Sequence, residues 1–109
     1  MTLSLPKPVT DYIEANARLD VDGMLQPFAQ DAIFLDNKRH FQGHTELRTL
    51  LANQVVAVKA IFTSETVRHD GAQIVVEGPA HGNFPGSPIR FTYRFTLESD
   101  RIKTLEVTG

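Results

Sequence analysis

The spacing of apolar residues changes partway along the chain, and that change divides it into a helical half and an extended half. In "VTDYIEANARLD" Val9, Tyr12 and Ile13 recur at helical spacing, and Ala17 continues the stripe. Pro6 and Pro8 precede this segment, so Pro8 or Thr10 begins the helix. Asp20 then reads as the N-cap of "VDGMLQPF", whose Met24, Leu25 and Phe28 share a face. Pro27 inside that stretch makes the second helix short or kinked. "AIFLD" predicts a strand and "NKRHFQG" an irregular connection. "HTELRTLLANQVVAV" predicts a third helix with Leu47, Leu50, Leu51 and Val55 on one side.

From residue 60 the period falls to two. "AIFTSETVRH" reads as extended up to the turn signal Asp70-Gly71. "AQIVVEGPAHGN" is a second long strand in which Gly78-Pro79 marks a bulge or bend. After the turn "FPGSP", the stretch "IRFTYRFTL" alternates cleanly. It sets Ile89, Phe91, Tyr93, Phe95 and Leu97 against Arg90, Thr92, Arg94 and Thr96. "ESD" turns into a last strand, "RIKTLEVTG". Three N-terminal helices packed on a strongly curved, mainly antiparallel sheet, with one early strand, make an α+β domain. A long sheet with an aromatic face must curl around the helices that cover it. Phe91, Tyr93 and Phe95 then line a concavity of the kind that holds small molecules.

Composition narrows the function classes. A chain of 109 residues supports one domain, residues 1–109. The formal charge of −2, with no Lys/Arg cluster, argues against a nucleic-acid partner. No apolar run reaches the length of a membrane span, and "MTLSLPKPVTD" lacks the apolar core of a signal peptide. With no cysteine there is no disulfide, thiolate nucleophile or Cys-bound metal, which fits a cytoplasmic protein.

The candidate chemistry is sparse. Alternation puts Asp36 on the side of Ala32 and Phe34, at the end of an apolar run. A carboxylate there is either a proton carrier beside an apolar cavity or the start of an Asp-Asn turn. His40 and His44 lie four apart, but "FQG" between them breaks a helix and no third ligand is spaced to join them, so no metal site is expected. His69 falls in a solvent-facing turn, whereas His81 lies within a strand and can face either side. Ser64 and Ser87 lack a G-x-S-x-G context. The glycines of "GNFPG" punctuate a hairpin instead of cradling a phosphate.

Three segments carry a family resemblance: "YIEANARLDVDGMLQPFAQDAIFLD", "FQGHTELRTLL" and "FTLESDRIKTLEV". The sequence resembles the nuclear-transport-factor-two-like superfamily in its SnoaL-like and ketosteroid-isomerase-like branch, over nearly its whole length. The resemblance implies a cystatin-like cone and a small cofactor-free isomerase or cyclase. It also implies a partner that is a small apolar or carbonyl-containing molecule, and a homodimer formed through the outer face of the sheet. Asp36 falls where the isomerases hold their general base, and Tyr12 where they hold a phenol that donates to the developing oxyanion. Their second donor, a protonated acid, has no counterpart in "IRFTYRFTL". Thr92 or Tyr93 takes its place, and alternation favours Tyr93. The expected pocket thus gathers Asp36 and Tyr12 among Phe28, Phe34, Phe91, Tyr93 and Phe95, with His81 as a further polar group. The other reading of the same pocket is a non-catalytic binding module for an apolar ligand.

Overall fold

The computed structural model describes residues 5–109. Helix α1 spans Lys7–Ala17 with Pro6 at its cap, where the absent N–H of Pro8 costs nothing. Its buried face is Pro8, Val9, Tyr12, Ala15 and Asn16. Ala17, expected on that face, is exposed. The helix ends in a Schellman motif: Asp20 N donates to Ala15 O and Leu19 N to Asn16 O, with Leu19 at φ 53°. Asp20 at once starts α2 (Val21–Leu25) by accepting from Gly23 N at 3.1 Å. Glycine at position 23 leaves room for this cap, since a Cβ there would lie 2.6 Å from the Asp20 carboxylate and push it aside. Pro27 stops α2 early, and Phe28 opens strand β1 (Phe28–Asp36) instead of completing a helical face.

The connection after β1 is ordered. Asn37 and Lys38, at φ 49° and 76°, form a tight turn into β2 (Arg39–Gln42), where irregular chain was expected. Helix α3 (Gly43–Leu50) continues as a π-helical segment, Leu51–Val56. Strands β3 (Ile61–Phe62) and β4 (Thr66–Asp70) form one interrupted edge on β5 (Gln73–His81), followed by β6 (Ile89–Glu98) and β7 (Arg101–Thr108). The predicted bend at Gly78-Pro79 is a close approach. Thr63, Ser64 and Glu65 of the edge bulge over these two residues, and a Cβ on Gly78 would overlap Thr63 O. Among the described residues no helix is long and apolar enough to cross a membrane.

The sheet has seven strands in the order β2-β1-β7-β6-β5-β3, with β4 also on β5. Every pairing is antiparallel except β1 with β7. The result is an α+β cone, a curled half-barrel with its helices in the concavity. β1 slips in register between Phe28 and Ile33, and Asp31 lies inside this irregular stretch, accepting from Lys103 Nζ at 2.7 Å. The core fills the concave side with Tyr12, Met24, Phe28, Leu47, Leu51, Phe95, Ile102 and Leu105, all nearly inaccessible.

One buried polar group joins the helical layer to the sheet edge. Asn16, 3 % exposed, donates from Nδ2 to Ala60 O at 2.9 Å and accepts at Oδ1 from Phe62 N at 2.8 Å. Its carboxamide acts as a strand partner for β3. Truncation strands two buried backbone groups, each worth about 1–3 kcal/mol once unpaired. Asn16→Ala is therefore expected to lower the unfolding free energy by about 2–4 kcal/mol. Urea denaturation should show the loss as a lower midpoint at an unchanged slope.

Candidate functional site

The concavity is not completely filled. A cavity of about 360 Å³ remains at its open end, within the usual range of small-molecule sites of roughly 300–1,000 Å³. Its floor and walls are Phe34, Phe91, Ala80 and Val107 from the sheet, with Leu50, Val55 and Val58 from the third helix and the segment after it. Phe84 and Pro85, from the loop between β5 and β6, form a lip. That lip is tied to the facing segment by Asn83 N donating to Val58 O at 2.6 Å.

Five polar residues reach the cavity: Tyr12, Asp36, Asn37, Gln54 and Tyr93. Tyr12 comes from the buried face of α1, one turn before Asn16. Tyr93 comes from the inward face of β6, where its ring stacks on Phe62 with centroids 4.1 Å apart. Asp36 is the last residue of β1, inward because it follows Ala32 and Phe34 in alternation. The register sets it between Val107 on β7 and Arg39 on β2.

The two phenols and the carboxylate differ in solvation. Tyr12 is 2 % exposed, and burial holds its hydroxyl well above the usual phenol range. Tyr93 and the Asp36 charge push in the same direction. Tyr93 is raised for the same main reason, with Asp36 again adding to it. Both therefore remain protonated and serve as hydrogen-bond donors. Among the described residues neither hydroxyl has a protein partner, yet neither is a sealed orphan, so both are free for something in the cavity. The Asp36 side chain is 26 % exposed, and its Oδ2 lies 3.4 Å from Arg39 Nη2. Oδ1 has no protein partner among the described residues. The Arg39 guanidinium sits 5.6 Å above the Phe41 ring.

Of the residues expected at the pocket, Tyr12, Phe34, Asp36, Phe91 and Tyr93 meet there. Phe28 and Phe95 do not line it. They are fully buried behind Tyr12, with ring centroids 5.6 and 6.0 Å away, and support its ring from the core side. His81 ends β5 opposite Ile61 and is exposed, away from the cavity. Thr92 faces outward with Glu77, so on β6 it is Tyr93 that points inward. Asn37, Gln54, Val58 and Phe84 were not anticipated. Only Phe84 gave a signal, as a large apolar residue placed inside a turn sequence. Among the described residues no three His, Asp or Glu side chains gather as metal ligands would.

The SnoaL-like domain family matches residues 9–105. The chain belongs to that family. Among solved structures this SnoaL-like domain is similar to a "putative polyketide cyclase" from Sinorhizobium meliloti. The identity is 31 %, with 95 % of each chain covered and a TM-score of 0.89. It is also similar in fold to a protein from Catenulispora acidiphila with a ketosteroid isomerase-like fold, in complex with trimethylamine. There the identity is 15 %, the coverage 97 % of this chain and 87 % of that one, and the TM-score 0.80. A third similar fold is that of TerC co-crystallised with polyporic acid, at 14 % identity, 94 % and 88 % coverage and a TM-score of 0.79. No curated protein matches the sequence.

The SnoaL-like domain has two tyrosines and no tryptophan, and both tyrosines are in the cavity. That gives a clean optical test. Each phenol is held above its ordinary value of 10.0 in the fold, so each contributes stability that is complete below pH 10 and is lost as pH rises beyond it. The unfolding free energy should fall by about 1.4 kcal/mol per pH unit for each tyrosine in that range. Tyrosinate absorbance should appear together with loss of the fold. A simple titration near the ordinary phenol value, with the fold intact, would contradict the burial described.

Proposed function

We propose that the cavity binds an apolar carbonyl compound and that the protein is a cofactor-free isomerase or cyclase abstracting a proton alpha to that carbonyl. The observation that carries this reading is the convergence of two protonated phenols and one partly exposed carboxylate on a single cavity. The carbonyl oxygen accepts hydrogen bonds from Tyr12 and Tyr93. Oδ1 of Asp36 takes the alpha proton, and the carbonyl becomes an enolate whose charge falls on the oxygen held by the phenols. The protonated carboxyl then returns the proton to another carbon of the conjugated system, or the enolate carbon attacks a second carbonyl of the same molecule, whose C=O π bond breaks to an alkoxide that takes the proton back from Asp36 as the ring closes. Donors already oriented in a low-dielectric pocket stabilise developing charge without reorganising. Phe62 stacked on Tyr93, and Phe28 and Phe95 against Tyr12, supply that rigidity.

A second reading, a non-catalytic module for an apolar ligand, is favoured by two observations. Arg39 shares the charge of Asp36, and the inward face of β6 offers tyrosine where the isomerases carry an acid. The two readings separate in one experiment. Beta,gamma-unsaturated ketones and small polycyclic ketones are screened for turnover and for binding. With an active substrate, Asp36→Asn should cost about 100- to 10,000-fold in turnover, because the amide cannot accept the proton. Tyr12→Phe should lower turnover with little change in affinity, since its bond strengthens in the transition state. Full activity in Asp36→Asn would overturn the mechanism. Binding without turnover would leave the module.

The outer face of the sheet supports a homodimer. Arg94 stands between Val75 and Glu106, with Thr92, Thr96, Thr104 and Thr108 around it. β1 adds Ile33 and Leu35, apolar and only half-buried. Such a mixed surface suits a two-fold pairing, the commonest closed symmetry. Light scattering at micromolar concentration should give twice the chain mass of 12.2 kDa. A monomer would count against it.

A further inference from the structure

The wall supplied by the third helix differs from the others in its backbone. Across Leu51–Val56 the hydrogen bonds run from i to i+5, with Ala57 N donating to Ala52 O at 3.0 Å, and the segment closes in a Schellman motif, Ala60 N to Val55 O and Lys59 N to Val56 O with Lys59 at φ 53°. π-turns are rare and recur at functional sites, and here the consequence can be read residue by residue. In an uninterrupted α-helix the face that begins at Leu50 would continue through Asn53, Gln54 and Ala57. The observed face keeps Gln54 and Val58, four and eight residues after Leu50, and takes Val55 in place of Asn53 and Ala57. The cavity is lined by Leu50, Gln54, Val55 and Val58, while Asn53 and Ala57 are exposed. This wall is apolar except at one place, Gln54.

The other polar groups of the cavity are already engaged. Tyr12, Tyr93 and Asp36 carry the proposed reaction, and the Asn37 side chain accepts from Gly109 N at 3.2 Å. The Gln54 carboxamide has no partner among the described residues. It offers two donors and one acceptor and carries no charge, so it suits a hydroxyl or a carbonyl better than an ion. We propose that Gln54 is a specificity residue: its amide holds a second polar substituent on a ketone whose reacting carbonyl lies between Tyr12 and Tyr93. This rests on the cavity being the ligand site. It narrows the ligand to an apolar ketone bearing a hydroxyl or carbonyl away from the reacting group. Gln54 is exposed when the cavity is empty, so a ligand without that substituent leaves the amide hydrated. The preference is thus the net value of one hydrogen bond, about three- to tenfold in affinity.

The test titrates the wild type and Gln54→Leu with tetralone and its ring-hydroxylated isomers by calorimetry, after circular dichroism has shown the variant folded. At least one hydroxylated isomer should bind the wild type about three- to tenfold more tightly than tetralone. In Gln54→Leu the ratio of the two affinities should fall to about one, whatever the variant's affinity for tetralone itself. If an isomer is preferred equally by both proteins, or tetralone binds and no isomer is preferred, the role of Gln54 is overturned and the cavity reading stands. If the wild type binds neither tetralone nor any isomer, the cavity reading falls and takes this inference with it.

Discussion

The carboxamide of Asn16 is the joint on which the arrangement depends. A two-residue edge strand such as β3 has little to hold it, and its backbone groups need partners as much as any others. Asn16 supplies one donor and one acceptor from the far side of the concavity, and so fixes the helix and the strand relative to each other. Two consequences reach the cavity. Phe62, whose N–H is held, presents the ring on which Tyr93 stacks. Tyr12 rides one turn away on the same helix. Both phenols inherit their placement from a single buried polar contact, worth more in that dry setting than in water.

The cavity in turn shows a division of labour among aromatic residues. Phe28 and Phe95 are sealed and serve as backing, while Phe34, Phe91 and Phe84 face the open space. Tyr12 and Tyr93 do both, with rings packed and hydroxyls unclaimed. A protein selected for stability alone would pair those hydroxyls or replace them with phenylalanine, because a desolvated polar group without a partner is costly. Here the hydroxyls are neither paired nor sealed, because they open onto the cavity.

Much of this was legible in the sequence, for reasons that vary by element. The alternation of β6 is unambiguous because one face is core and the other is solvent, so Phe91, Tyr93 and Phe95 could be assigned inward. The same reasoning put Asp36 beside Phe34. Asp20 announced itself as a cap. Strand β2 did not read as a strand, because it is short, mostly exposed, and entered through a turn with no glycine. Ala17 was counted in the apolar stripe when the position that matters is polar, since a buried asparagine satisfied by backbone looks like a surface residue in a pattern of hydropathy. The inward or outward choice for His81 depended on where β5 leaves the cone, which alternation does not encode. Nothing in "LANQVV" signals a π-turn, and Gln54, four residues after Leu50 on the predicted helix, was passed over because a polar residue there reads as the solvent side.

The parallel pairing of β1 with β7 bears on how the molecule comes together. Its partners lie some seventy residues apart, as the Asp31–Lys103 and Asn37–Gly109 contacts mark, and contacts of such separation form slowly because a long loop must close first. Synthesis delivers β1 early and β7 last, so the edge beside Phe34 and Asp36 stays unpaired while everything between is made. The helices, the β4-β5-β6 meander and the Asn16 joint can all form in the meantime from nearer contacts. Asp36, set between Val107 and Arg39, has both backbone neighbours only once β7 is paired with β1, so its place depends on a contact between distant parts of the chain.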